Sequence, residues 1–175
     1  QANTITIHML MAIVLLFILF SILAISNTST KRVKVSRNIS ILVLISIVLL
    51  LIQIITGTEV RKFIDIKMEL LNYTEKERWI ENISSSFSFH RSFSWEIIIV
   101  NSLIYYYARK SGLKLKIIHI VNSLIFFQIS SGIIMYYFHF PFSSQPIHLL
   151  ISTMIISIQF YFLLLYKTSK NAIKI

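Results

Sequence analysis

Five long apolar stretches dominate the sequence and constrain its fold more than any other feature. Each is long enough to cross a bilayer as a helix, which takes about 20 apolar residues. Apolar residues make up 55% of the 175 residues, and glycine (3) and proline (2) are scarce. Together with a mean hydropathy of +0.74, this composition does not fit a water-soluble domain. The predicted spans are residues 5–25, 39–57, 92–108, 115–138 and 146–166.

The third predicted span, residues 92–108, is the weakest of the five. Glu96 and Asn101 interrupt its apolar run, and Arg91 stands directly before it. We retain it because the charges on either side of the spans alternate only if this segment crosses the bilayer. The prediction is therefore an all-α integral membrane protein with five transmembrane helices, four of which form an up-down, cofactor-binding four-helix bundle.

The distribution of charge predicts the orientation. The connection between the second and third spans contains both acidic and basic residues, whereas the other long links and the tail contain only basic ones. By the positive-inside rule the purely basic segments are cytoplasmic, so the N-terminus lies outside and the C-terminus inside the cell membrane. The net charge of +10 then reflects loops near anionic lipid and requires no nucleic acid. The purely basic segments contain Lys31, Arg32, Lys34, Arg37, Arg109, Lys110, Lys114, Lys116, Lys167, Lys170 and Lys174.

One pattern occurs twice. Residues 53–57 read Gln-Ile-Ile-Thr-Gly at the end of the second predicted helix, and residues 128–132 read Gln-Ile-Ser-Ser-Gly in the fourth. In each case the next helix opens with a histidine, His90 or His148. The first helix, which contains His8 near its start, matches the closing half of a third such unit. The chain is therefore expected to be the second part of a longer protein made of two tandem bundles.

Histidines at one depth in a membrane indicate a bound metal or metallocofactor. The core of a four-helix bundle holds cofactors through ligands that project from facing helices, and two imidazoles can bind one haem iron axially. His90 and His148 are the predicted pair. Glycine four residues after glutamine lies on the same helix face and lets a flat cofactor approach closely. The absence of cysteine excludes c-type haem attachment and iron-sulfur ligation within the chain.

Further polar residues are assigned to the same site. Arg61 and Arg91 stand near the level of the histidines, where they could bind haem propionates, although both could equally be rim residues that extend toward water. Gln53 and Gln128 complete the predicted cofactor-binding set.

Two more features of the sequence predict structure around this site. Asn101 follows His90 at the same interval at which Gln159 follows His148, so both amides are predicted to face the bundle interior. Residues 64–83 alternate apolar and charged residues and are predicted to form a surface helix that covers the mouth of the bundle.

These motifs resemble the second half of the heme A synthase family over nearly the whole chain. The resemblance is carried by Gln-x-x-x-Gly-x-x-Val-Arg at residues 53–61, by His90-Arg91, by residues 128–132 and by Gln-Pro-Ile-His at residues 145–148. That family has eight membrane helices in two related four-helix bundles. The resemblance implies that His90 and His148 ligate the iron of a haem b. It also implies that His8 is a ligand to the substrate haem in the preceding bundle.

The resemblance also implies the domain organisation and the reaction. Residues 1–26 would be the last helix of the substrate bundle, 27–38 a cytoplasmic linker, 39–167 the haem b bundle and 168–175 a cytoplasmic tail. The family oxidises a methyl group of haem O to the formyl group of haem A. Expected partners are the lipid bilayer, haem O, a haem O synthase and a membrane electron donor. The catalytic residues belong to the first bundle, so none lies in this chain, which by itself is expected to be inactive.

Two other classes of protein remain open from the sequence. One is a non-enzymatic membrane b-type cytochrome, although such carriers usually place histidine pairs on both sides of the membrane. The other is a haem-free transporter or assembly subunit, in which the histidines would bind ions or protons. A colourless purified protein would favour the second alternative.

Overall fold

The computed structural model describes residues 2–26, 33–81 and 85–168. Within these residues the chain forms five α-helices, one short 3₁₀ helix and one pair of three-residue strands. Residues 27–32 of the predicted linker and residues 169–175 of the predicted tail lie outside the described residues; the rest of the linker forms a short strand and the start of a helix. The α-helices are α1 (Ala2–Ser26), α2 (Arg37–Leu70), α3 (Ser85–Lys110), α4 (Lys116–Tyr137) and α5 (Ser144–Leu165); the 3₁₀ helix is Lys76–Ile80, and the strands are β1 (Val33–Val35) and β2 (Tyr166–Thr168).

Four of the described helices are long and apolar enough to cross a membrane: α1, α2, α4 and α5. The all-α class and the membrane character of the chain are thus confirmed. Helix α3 has sufficient length, with 26 residues, but it does not meet the same hydropathy criterion, since Arg91, Glu96 and several serines lie within it. The fifth span therefore stays a prediction.

Helix α2 extends far beyond the predicted end at Gly57. Its 34 residues correspond to a length of about 50 Å, whereas the hydrocarbon core of a bilayer is about 30 Å thick. The helix ends where Asn72 and Tyr73 adopt positive φ angles of 48° and 60°. Its second part carries charged side chains, including an ion pair between Arg61 and Asp65 at 3.4 Å.

The predicted surface helix over residues 64–83 is wrong. Its first part belongs to α2, because neither a proline nor a left-handed residue interrupts the helix after Gly57. A 3₁₀ helix follows, and its Trp79 is buried and donates its indole N–H to the carbonyl of Thr74 at 2.9 Å. Ile64 of α2 is fully buried. This segment therefore folds back against the end of α2 instead of forming a separate helix.

Helices α2, α3, α4 and α5 contact one another in a closed ring, in which α2 packs on α3 and α5, and α4 packs on α5 and α3. Helix α1 lies outside this ring, against α5 and α2. Phe17 of α1 stacks on Phe160 of α5 with ring centroids 4.1 Å apart. Thr6 of α1 is hydrogen-bonded to Thr58 of α2 at 2.8 Å.

The two strands connect distant parts of the chain. Strand β1, which precedes α2, pairs in parallel with β2, which follows α5, with Val35 opposite Thr168. The start of α2 and the end of α5 consequently lie at the same end of the helical ring.

A cluster of buried polar side chains connects α2, α3 and α5. Asn101 of α3 donates to Ser46 of α2 at 2.9 Å, and Gln159 of α5 donates to Asn101 Oδ1 at 2.9 Å. All three side chains are buried. The prediction that Asn101 and Gln159 face the bundle interior is confirmed. Because His90 and Asn101 are separated by about 16 Å along α3, this cluster lies well away from the histidines.

Candidate cofactor site between four helices

A cavity of about 420 Å³ lies between α2, α3, α4 and α5, and both His90 and His148 line it. Its volume is within the range of about 300–1,000 Å³ that is typical of ligand sites. Each histidine lies in the second turn of its helix, as the repeated pattern predicts. The walls are mostly apolar and include Leu50, Ile54, Ile97, Ile125, Ile129 and Ile155.

The glycines of the two repeated motifs make room for the imidazole rings. A Cβ atom added at Gly57 would lie 3.1 Å from His90 Cε1, and one added at Gly132 would lie 3.5 Å from His148 Cε1. Carbon atoms in favourable contact are about 3.5–4.0 Å apart. A side chain at position 57 would therefore have to displace the His90 ring by a few tenths of an ångström, whereas one at position 132 would make an ordinary contact with His148.

A hydroxyl group contacts each imidazole at the same atom. Thr56 Oγ1 lies 3.2 Å from His90 Nδ1, and Ser131 Oγ lies 2.7 Å from His148 Nδ1. Each hydroxyl also donates to the carbonyl of the glutamine three residues earlier, at 3.1 Å to Gln53 and 2.8 Å to Gln128. Both hydroxyl contacts are to Nδ1, and neither occupies Nε2, the nitrogen through which each ring could bind a ligand.

The two glutamines line the cavity and have incompletely satisfied amides. Gln53 Nε2 donates to the backbone carbonyl of His90 at 2.8 Å, which connects α2 to α3 at the level of the site. Oε1 of Gln53 and Oε1 of Gln128 are both buried without a donor among the described residues. Buried polar atoms rarely remain without a partner, so ordered water or a bound group is expected beside them.

Arg61 and Arg91 lie at the edge of the cavity and are exposed to solvent. Arg61 pairs with Asp65 at 3.4 Å, and an exposed pair of this kind is weak. The Arg91 guanidinium lies 6.0 Å from the centroid of the Phe87 ring. Both arginines are thus positioned where they could meet the anionic groups of a ligand.

The remaining histidines are not part of this cavity. His8 is exposed on α1, although the adjacent Met9 is buried and lines the cavity. His119 of α4 is exposed and makes an edge contact with Tyr105. His139 lies in the turn between α4 and α5 at a φ of 50°. The structure therefore joins His90 and His148 and leaves His8 apart from them.

Sequence reasoning missed several residues of the site. Thr56 and Ser131 were detectable in principle, because both repeated motifs carry a hydroxyl directly before the glycine. Phe87 and Tyr136 both line the cavity and stack with their centroids 5.5 Å apart. Nothing in the repeat indicates that these two rings meet.

The donor set fits a haem. Among the described residues, no three side chains of histidine, cysteine, aspartate or glutamate cluster as metal ligands would. The imidazoles that line the cavity are those of His90 and His148. Two axial imidazoles suffice for a haem iron because the macrocycle supplies the other ligands. The apolar walls of the cavity suit a flat, largely apolar ring.

Fold and site together define a multi-pass helical membrane protein with a cavity between its helices that presents two histidine side chains. The sequence matches the COX15-CtaA family of cytochrome oxidase assembly proteins over residues 1–160. The chain belongs to this family, which is the heme A synthase family, and its role lies in cytochrome oxidase assembly and haem A synthesis. No curated protein and no solved structure matches the chain significantly.

Proposed function

We propose that the α2–α5 bundle holds a haem b between His90 and His148, and that it serves the oxidation of haem O to haem A. The observation that carries this proposal is the pair of imidazoles, contributed by two repeated units, that line one apolar cavity with Nε2 available. Membership of the heme A synthase family supports the reaction.

Each residue of the site has a distinct part in this proposal. His90 and His148 would hold the haem iron, and Gly57 and Gly132 leave room for their rings. Arg61 and Arg91 bind the propionates by charge-assisted hydrogen bonds at the edge of the cavity. A haem held there by the two imidazoles would supply electron transfer.

We further propose that α1 belongs to the substrate bundle and that His8 is a ligand to the substrate haem. The exposure of His8, in contrast with the burial of Met9 beside it, supports this assignment, since His8 is accessible to a neighbouring bundle. In this arrangement residues 1–26 end the substrate bundle and residues 39–167 form the electron-transfer bundle. A haem O synthase and a membrane electron donor are the proposed partners.

We propose that the protein lies in the cell membrane, with the N-terminus of the chain outside the cell and the C-terminus in the cytoplasm. This orientation requires α3 to span, so that α2 to α5 run up and down. The pairing of β1 with β2 supports this arrangement, because it sets the link before α2 and the tail after α5 at one end.

The test is the visible absorption spectrum of the purified protein with His90→Ala or His148→Ala. Each change should abolish the low-spin bis-imidazole spectrum, because one axial ligand is lost. His119→Ala, which removes an imidazole outside the cavity, should leave the spectrum unchanged. If His90→Ala and His148→Ala both retain the spectrum of the unmodified protein, the axial assignment is wrong.

A further inference from the structure

We propose that Thr56 and Ser131 are positioning residues that hold each axial histidine in the tautomer with its proton on Nδ1. This inference rests on the proposed function, because it concerns the two histidines assigned to the haem b. Thr56 Oγ1 and Ser131 Oγ are the only side-chain groups within the described residues that are hydrogen-bonded to these ring nitrogens. The proposed function assigns no role to either hydroxyl.

The direction of the hydrogen bonds follows from the number of protons available. Each hydroxyl has one proton and two neighbours, a backbone carbonyl and an imidazole nitrogen. The carbonyl of Gln53 or Gln128 can only accept, so the hydroxyl donates its proton to that carbonyl. The hydroxyl oxygen must then accept from the ring, which requires a proton on Nδ1. Both contacts can be satisfied in no other way.

This tautomer is the one that a metal requires at the opposite ring nitrogen. A neutral imidazole with its proton on Nδ1 carries a lone pair on Nε2. Hydrogen bonds from the other ring nitrogen of a metal-binding histidine fix its orientation and make it a stronger donor to the metal. The series of hydrogen bonds from Nδ1–H through the hydroxyl to the carbonyl therefore leaves Nε2 of His90 and of His148 with a lone pair that could bind the iron.

The same arrangement occurs in both repeats, which argues against a chance contact. Serine and threonine in helices often donate to a carbonyl of the preceding turn, as two neighbouring residues do. Thr58 donates to Ile55, and Ser130 donates to Phe126 at 2.9 Å. Neither contacts a histidine. The second hydrogen bond, to the imidazole, distinguishes Thr56 and Ser131 from these neighbours.

The experiment compares Thr56→Val and Ser131→Ala with the unmodified purified protein. The haem affinity should fall by about 10- to 100-fold, the usual effect of losing a partner of a metal ligand. The midpoint potential should rise, because an imidazole that donates no hydrogen bond is less electron-rich and stabilises ferric iron less. The low-spin electron paramagnetic resonance signals should shift or broaden as the ring loses its fixed orientation.

Matched controls separate this role from a general loss of structure. Ser130→Ala removes the adjacent hydroxyl and should leave affinity, potential and resonance signals unchanged. Thr56→Ser and Ser131→Thr keep the hydroxyl and should restore the values of the unmodified protein. If Thr56→Val does not accumulate as folded protein, Ser131→Ala provides the same test in the second repeat.

The results also distinguish this inference from the proposed function. If the unmodified protein shows a bis-imidazole haem spectrum while Thr56→Val and Ser131→Ala match Ser130→Ala in all three measurements, the positioning role is wrong and the haem site stands. If the unmodified protein binds no haem, the proposed function fails, and the positioning role fails with it.

Discussion

At the scale of single residues, three positions of the repeated motif each make a separate contribution to the site. In the first repeat Gln53 donates to the backbone of the next helix, Thr56 contacts the imidazole nitrogen, and Gly57 leaves space for the ring. Ser131 and Gly132 repeat the last two contacts around His148. The motif thus forms the surface against which the imidazole of a histidine on the following helix packs.

The different spacing at the two glycines leads to a prediction. Gly57→Ala should displace the His90 ring, because the new Cβ would lie 3.1 Å from Cε1, and it should reduce the haem content of the purified protein. Gly132→Ala should keep the haem, since its Cβ would make an ordinary contact at 3.5 Å. It should also raise stability by about 0.5–1 kcal/mol, as alanine is the better helix former.

Haem content by absorption and thermal unfolding in detergent measure these two effects. Equal loss of haem in Gly57→Ala and Gly132→Ala would contradict the difference in space between the two repeats. An unchanged spectrum in Gly57→Ala would show that the His90 ring does not depend on the glycine.

The residues of the site were predictable to different degrees. His90 and His148 and the Gln-x-x-x-Gly motifs were recognisable because helical periodicity and the repeat assign them to equivalent positions. The contacts of Thr56 and Ser131 depend on side-chain rotamers and on how closely two helices pack, neither of which periodicity specifies. For the same reason the stacking of Phe87 on Tyr136 could not be predicted.

At the scale of helices, the least predictable feature was where α2 ends. Its apolar part ends near Gly57, and the predicted span ended there because hydropathy reports where a helix meets water. Backbone geometry does not change at that boundary, so the helix continues until Asn72 and Tyr73 adopt positive φ angles. The predicted spans for α1, α4 and α5 agree closely with the observed helices, since their apolar runs end together with the helix.

Helix α3 provides a prediction at this scale. It is too polar to be recognised as a span by hydropathy, yet its buried Asn101 is satisfied by hydrogen bonds to Ser46 and Gln159. Polar residues in a membrane are tolerated when they face such partners. The chain contains no cysteine, so single cysteines can report the side of the membrane. Suitable exposed positions are Glu77, Ser111 and Phe142.

A maleimide that cannot cross the membrane should label Glu77→Cys and Phe142→Cys in intact cells. Ser111→Cys, which lies in the turn after α3, should react only after permeabilisation. Phe142→Cys serves as the control, because it follows α4, which is apolar enough to cross the membrane. Labelling of Ser111→Cys and Glu77→Cys from the same side would show that α3 does not cross the membrane.

At the scale of the whole molecule, two repeated helix pairs close a ring around one cavity, and α1 packs outside that ring. The pairing of β1 with β2 fixes one end of the ring, and the histidine motifs lie toward the other. This separation leaves a polar cluster at one depth and the proposed haem at another. Met9 of α1 also lines this cavity, whereas the neighbouring His8 does not.

The most direct test of the account removes one axial ligand and restores it from solution. His148→Gly in the purified protein should lose the low-spin bis-imidazole spectrum, and added imidazole should restore it by occupying the vacated position beside Ser131. Before imidazole is added, the haem should remain bound to the variant through His90 alone. A His148→Gly protein whose spectrum matches that of the unmodified protein before imidazole is added would contradict the proposed haem site.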